Sequence, residues 1–313
     1  MSRRERIEAA LVGAYVADAS ALGFHWLYDP DRIAALSGDS PVFRQPDAAD
    51  FDGFQGVFVH TGRQAGDLSQ YGAQLRVAIQ SMLATDGAFD VADFQDRFAV
   101  TFGVGGSWDG YIDKATKATL ENLAAGQRDP SGGDDDQVPA IARFPAVMAA
   151  SGVASEDIDA IIAITSANET AAAWAPAAAA LLKAAYDGMT PREAALSVAK
   201  KTEGEIGAAL MGAVRSSEAD TVAFAGTVGR ACPLPQAMPV IFHICARSRS
   251  YKDAIERNIL VGGDNCGRAP VLGAVFGAAK GFGGQGVPSD WVARVTNIGE
   301  LRAESDALAK KTA

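Results

Sequence analysis

The segment Gly262-Gly263-Asp264-Asn265-Cys266-Gly267-Arg268-Ala269-Pro270 brings a carboxylate, an amide, a thiol and a guanidinium together within a few residues. It stands before a Gly/Ala-rich stretch, Val271 to Gly281, in which Gly273, Gly277 and Gly281 recur four apart. That spacing puts small residues on one face of a helix, where a second backbone can come close. An Asp at such a helix start lies where free N–H groups and the helix dipole favour negative charge. A buried helix start carrying Asp264, Asn265, Cys266 and Arg268 is the first candidate for a polar site. A thiol beside a cation at a helix start can also have a lowered pKa. This makes Cys266 a candidate for thiol chemistry, set against the usual role of free cysteine as a small buried apolar group.

Other stretches hold chemically useful side chains. Asp18 interrupts an apolar, small-residue run, and His25 follows seven residues on, two turns along the same face if the helix continues. A histidine there could act as a base near neutral pH, or be a satisfied half-buried imidazole. Asp67, in Gly66-Asp67-Leu68-Ser69-Gln70-Tyr71-Gly72-Ala73-Gln74, is either a site residue or a helix N-cap. Trp108, Tyr111, Asp113 and Lys117 follow a glycine turn. They could stack on and bind a nucleoside-like ligand, or simply pack a loop onto a helix with Lys117 paired to Asp113. The run Gly132-Gly133-Asp134-Asp135-Asp136 has the wrong spacing for an EF-hand and reads more plainly as a solvated acidic loop.

In this order the motifs resemble those of the ADP-ribosylglycohydrolase family, whose C-terminal signature reads Gly-Gly-Asp-x-Asp-Thr before a Gly/Ala-rich helix. The likeness implies an all-α fold and hydrolysis of a glycosidic bond to ADP-ribose or a related ribosyl compound. It also implies a pair of metal ions, usually magnesium, held by the signature and by a Thr-Asp-Asp-Thr motif. Here Cys266 and Gly267 stand at the second Asp and the Thr. The Thr-Asp-Asp-Thr motif falls either on Gly66-Asp67-Leu68-Ser69 or on Tyr71-Gly72-Ala73-Gln74, and both registers break the ligand set. Asp67 and Asp264 are the metal candidates that remain. His25 stands where some members have a catalytic Glu, and Asn168-Glu169 stands where the family often has Thr-His. The runs Asp18-Ala19 to His25-Trp26 and Gly262 to Ala269, with Tyr111, Asp113 and Lys117, are similar to the J1-crystallin-like branch.

On the enzyme reading, Asp18 or Asp67 positions the sugar and His25 activates water. Asp264, Asn265 and Arg268 hold hydroxyls or phosphate, and Tyr71, Trp108, Tyr111, Asp113, Lys117 and Cys266 line the cleft. The alternative is a catalytically inactive, metal-poor member that binds a ligand or partner.

Helical periodicity predicts the frame for these residues: helices near 4–23, 71–86, 91–103, 111–124, 138–151, 155–165, 169–187, 191–202, 205–217, 219–229, 236–248, 251–261, 268–281 and 297–311. Asp90, Ser155, Thr190 and Ser250 are the expected caps. The stretch 42–61 reads as an irregular loop with at most one short strand, at Val57-Phe58-Val59. No internal repeat or composition shift divides the 313 residues, so one all-α domain over 1–313 is expected. A hydrophobic content of 48% is ample for one large core. A net charge of -10 argues against nucleic acid and anionic membranes as partners, but not against a small anionic substrate or an ADP-ribosyl conjugate. The three cysteines form no disulfide framework or zinc-finger spacing and suggest a reducing cytoplasm. No membrane span is expected; 171–185 comes closest, interrupted by Pro176 and Lys183.

Overall fold

Ser2 and Glu5 open the first helix, α1 (Arg3–Ala21), by satisfying each other's backbone N–H groups at 2.7 and 3.3 Å. The structure is a computed structural model that describes residues 1–150 and 152–313, and their side chains except at 155 and 156. α2 (Pro30–Ser37), α3 (Gln70–Ala84), α4 (Val91–Phe102) and α5 (Lys114–Ala124) follow. Next come α6 (Phe144–Val147), α7 (Ser155–Ala163), α8 (Glu169–Tyr186), α9 (Pro191–Lys201), α10 (Gly204–Arg215) and α11 (Thr221–Val228). α12 (Leu234–Arg247), α13 (Tyr251–Val261), α14 (Asn265–Lys280), α15 (Ser289–Val292) and α16 (Ile298–Thr312) complete the order. The fold is all-α, as expected, and the described residues form no strand beyond isolated bridges such as Leu27 with Gly56.

At the centre α1 and α14 lie backbone to backbone. A Cβ at Gly13 would meet the Gly273 carbonyl oxygen at 2.6 Å, and one at Gly273 the Gly13 oxygen at 2.3 Å. Gly277 approaches the Ala9 carbonyl in the same way. The expected small-residue face is thus real at Gly273 and Gly277. Gly281 instead ends α14 with φ +70°, a conformation suited to glycine. With α3, α6, α8, α13, α15 and α16 also packed on it, α1 is buried on every side from Ala9 to Ala21. Arg3–Phe24 therefore has the length and mean hydropathy, 1.3, of a membrane-crossing segment, which 171–185 was expected to approach most closely; nearly all of it is interior.

Several boundaries differ from the sequence reading. α2 was not foreseen, although Asp29 caps it through the Arg32 N–H at 2.8 Å and Pro30 occupies its first position. It is short and fully buries only Ile33, so its periodic signal is faint. The expected helix 138–151 is a 3₁₀ turn (Val138–Ala140) and the single turn α6, with Pro139 and Pro145 cutting the ladder; its residue 151 lies outside the described residues. α5 begins at 114 rather than 111, because the Asp113 side chain caps it through the Thr116 N–H. α14 begins at 265 rather than 268, and α7 has Ala154, not Ser155, at its cap position. Asp90, Thr190 and Ser250 cap α4, α9 and α13 as expected.

Candidate active site

Asp264 caps α14 and accepts the Gly267 N–H at 2.9 Å. Its position is set by the glycine pair before it. The Gly263 carbonyl accepts the Trp26 N–H at 2.9 Å, and the Gly263 N–H donates to the Leu27 carbonyl at 2.8 Å. Gly263 has φ +61°, and a Cβ there would stand 2.1 Å from the Arg230 carbonyl oxygen, so only glycine fits. This pair of hydrogen bonds ties the segment after α1 to the start of α14 and brings His25 to Asp264.

α1 ends at Ala21 and passes through a 3₁₀ turn, Leu22–Phe24, so His25 does not continue the face of Asp18. His25 Nε2 lies 3.0 Å from Asp264 Oδ1, and its Nδ1 lies 2.7 Å from His60 Nε2. The Tyr71 hydroxyl donates to the other Asp264 oxygen at 3.3 Å. Asp264 is fully buried and His25 is 1% exposed. Burial alone would raise the Asp264 carboxyl. The hydrogen bond from His25 first, then the Cys232 thiol and Arg268, outweigh it and hold the group below its ordinary value. Burial, then the neighbouring His25 and Arg63, push His60 down to about 2, so it is neutral. A carboxylate only accepts, so His25 Nε2 carries a proton, and a single further proton bridges His25 and His60. The three groups form a proton chain that ends at His60 Nδ1.

Around this floor stand Tyr111, expected from the sequence, and Cys232, Trp26 and Tyr28, which were not among the candidates. Cys232 lies against Asp264, Trp26 and Tyr28, and burial with the charge of Asp264 pushes its thiol far up. Trp26, Tyr28 and Tyr111 are half-buried, with the Trp26 and Tyr111 rings edge to face at 5.3 Å. Burial and the charge of Asp113 lift the Tyr111 hydroxyl to about 12. His60 is not among the sequence candidates; no spacing rule links it to His25, since the loop that carries it is irregular.

The remaining candidates divide into those near the floor and those away from it. Gln70 clasps Asp113, donating from Nε2 to Oδ2 at 2.6 Å and accepting the Asp113 N–H at 2.8 Å. Burial raises the Asp113 carboxyl to about 6 despite the Thr116 bonds. Its expected pair with Lys117 is absent among the described residues; exposed Lys117 instead places Nζ 5.7 Å from the Tyr111 ring. Asp18 lies a layer deeper, accepting the Ser69 N–H at 2.8 Å and the Ser69 hydroxyl at 2.5 Å. Burial lifts it to about 7 against those bonds. Cys266 Sγ faces the Asp18 carbonyl at 3.9 Å, and burial, then Asp18 and Asp264, raise its thiol well above normal. This corrects the expectation of a lowered thiol pKa: the helix start is sealed, and its nearest charges are carboxylates.

Arg268 is fully buried and bonded to protein acceptors. Its Nε donates to Asn258 Oδ1 at 2.8 Å, Nη1 to the Arg230 carbonyl at 3.1 Å and Nη2 to the Gly262 carbonyl at 2.7 Å. Asn265, fully buried, has no hydrogen-bond partner for either side-chain polar atom among the described residues. Asp67 does not cap α3, whose cap is Ser69. It accepts the Gln64 N–H and the Thr296 hydroxyl and lines a separate groove with Arg63 and Trp108. Trp108 lies under the Arg63 guanidinium, 4.1 Å from its ring centre, and donates to the Tyr111 carbonyl. In the acidic loop, Asp134 holds Asn168 Nδ2 at 2.5 Å, while Asp135 is buried and accepts the Gln137 N–H.

With these positions established, comparison with known proteins is informative. The model of the ADP-ribosylglycohydrolase family matches residues 1–313, and the chain belongs to that family. It is 24% identical to Crystallin J1A of Tripedalia cystophora, covering 98% of this chain and 97% of that protein. It is 22% identical to Crystallin J1B of the same animal, over 93% and 92%. Among solved structures, one titled ADP-ribosylglycohydrolase-related protein complex superposes with a TM-score of 0.75 at 18% identity, covering 100% of this chain and 99% of the other. That likeness establishes the fold.

The family is generally metal-dependent, so the donor set bears on its chemistry. Asp264 directs its oxygens at His25, Gly267 and Tyr71, and Asp18 directs its own at Ser69. Asp67 belongs to another groove. Among the described residues no three His, Cys, Asp or Glu side chains converge on a common point. Magnesium requires several hard oxygen donors in near-octahedral array, and these residues do not fit a pair of such ions.

Proposed function

We propose that the chain hydrolyses a glycosidic bond to ADP-ribose or a related ribosyl compound, with the Asp264–His25–His60 chain as its base. The observation that carries this reading is the 2.7 Å contact of His25 with His60, in line with the 3.0 Å contact of His25 with Asp264. His60 Nδ1 takes the proton of a water as its oxygen bonds to the anomeric carbon; the glycosidic bond breaks, its electron pair leaves with the departing group, and that group takes a proton from solvent. The positive charge passes to His25, where ionised Asp264 stabilises it. Tyr71 holds the second Asp264 oxygen and so fixes the carboxylate plane. Trp26, Tyr28 and Tyr111 offer aromatic faces to the base or ribose, and Asp113 with Gln70 orients hydroxyls. Three free, buried cysteines fit a protein of the cytoplasm.

A second reading is a ligand-binding member without catalysis. It is favoured by the way Asp18 and Asp264 direct their oxygens at protein donors. Calorimetry with ADP-ribose, with and without magnesium, run beside a hydrolysis assay separates the two. Magnesium-independent binding with release of ribosyl product supports the base. Binding without product supports the second reading, and no binding defeats both.

A further inference from the structure

At the other end of α13 from Asp264, four guanidinium side chains line one hollow of about 660 Å³: Arg192, Arg247, Arg249 and Arg257. α13 has 11 residues, so its length puts roughly 16 Å between this hollow and the start of α14. Asp253 is the carboxylate in the wall, and it is already committed. Its Oδ1 accepts Arg257 Nε at 2.7 Å and its Oδ2 accepts the Arg249 N–H at 3.0 Å. Among the described residues Arg192, Arg247 and Arg249 form no ion pair. Arg247 Nε and Ser248 Oγ are buried and lack any hydrogen-bond partner. A chain of net charge -10 thus keeps three uncommitted cations around one concavity, with two buried polar atoms unsatisfied.

We propose that this hollow is a second ligand site, for a small anion bearing a phosphoryl group. A buried donor without an acceptor is costly, and an oxyanion supplies the acceptor. Guanidinium forks match phosphoryl oxygens two at a time. A carboxylate has two oxygens to offer; several forks and a hydroxyl call for more. Two helix starts flank the hollow, with Arg192 second in α9 and Arg249 just before the α13 cap Ser250. The carbonyl end of α12 at Arg247 opposes them, but a helix end carries about half a charge, against three uncommitted whole charges.

The test is calorimetric titration of the whole protein with inorganic pyrophosphate, with succinate as a dicarboxylate comparison. Pyrophosphate should bind, and succinate much less. Arg247→Gln and Arg249→Gln should each weaken pyrophosphate by about tenfold or more, whereas Asp264→Asn leaves it in place. Arg249→Lys keeps the charge but loses the fork, so it should recover only part of the affinity. Arg192 and Arg249 are exposed, so their glutamine variants carry the test if Arg247→Gln does not fold. No binding of pyrophosphate, equal binding of succinate, or affinity unchanged in the folded arginine variants would each overturn the proposal.

Discussion

His25 and His60 share one proton across 2.7 Å, with the far nitrogen of His25 held on Asp264. Removing the outer imidazole should leave the inner pair intact. His60→Ala is expected to lower hydrolysis by about a hundredfold or more while changing thermal stability little. Asp264→Asn should abolish turnover and also lower the melting temperature, because it uncouples His25 and Tyr71 together. Full activity in a folded His60→Ala protein would remove His60 from the base.

Asp18 makes a prediction about pH. Burial raises its carboxyl to about 7, more than the Ser69 and Gly72 bonds lower it. The folded protein then keeps a proton that the unfolded chain releases near pH ~4. The contribution to stability is greatest in acid and fades as pH rises through about 7. Asp113, raised to about 6, acts in the same direction. Asp18→Asn removes its own part of the slope, so the variant should gain on the wild type by a few kcal/mol, in order of magnitude, between about pH 5 and pH 8. Thermal unfolding at the two values reads this directly, and a constant difference would mean that Ser69 fully compensates the ionised form.

Arg268 is expected to matter for stability rather than for ligand binding. Truncation to Met leaves the Asn258 side chain and the Arg230 and Gly262 carbonyls without their donor. A loss of about 3 kcal/mol or more in denaturant unfolding should follow. Lysine should rescue little, since one ammonium cannot reproduce the fork. An Arg268→Lys protein of normal stability that had lost only ligand affinity would restore the phosphate role expected from the sequence.

The cysteines should be silent in the native protein. Cys266 is fully buried and its thiol is raised well above normal. A thiol reagent should modify it no faster than the protein unfolds, and mass spectrometry after brief labelling checks this. Rapid native labelling at Cys266 would return it to the list of nucleophiles.

The residues that the sequence made legible were those defined by local rules. Asp264 reads as a helix cap because the glycines before it and the small residues after it admit little else, and it is one. The Gly273 and Gly277 spacing announces a close helix contact, and one is present. What stayed hidden depended on distant pairing. His60 sits in an irregular loop and gains meaning only where the backbone bonds of Gly263 deliver His25 beside it. Arg268 was read as a ligand for phosphate because its charge was visible and its acceptors, one of them on Arg230, were not. Cys232 was passed over for the same reason: its neighbour Asp264 is remote in sequence.

The backbone contact of α1 with α14 has a consequence for biosynthesis. α1 leaves the ribosome before α14, and the carbonyl-lined face that receives Gly273 and Gly277 has no partner until α14 is made. During that interval a long apolar helix, interior in the finished protein, has to be shielded by other means. Folding is thus committed to a sequence-distant pairing for both the core and the chemistry, and the nascent chain holds no part-formed site that could act early.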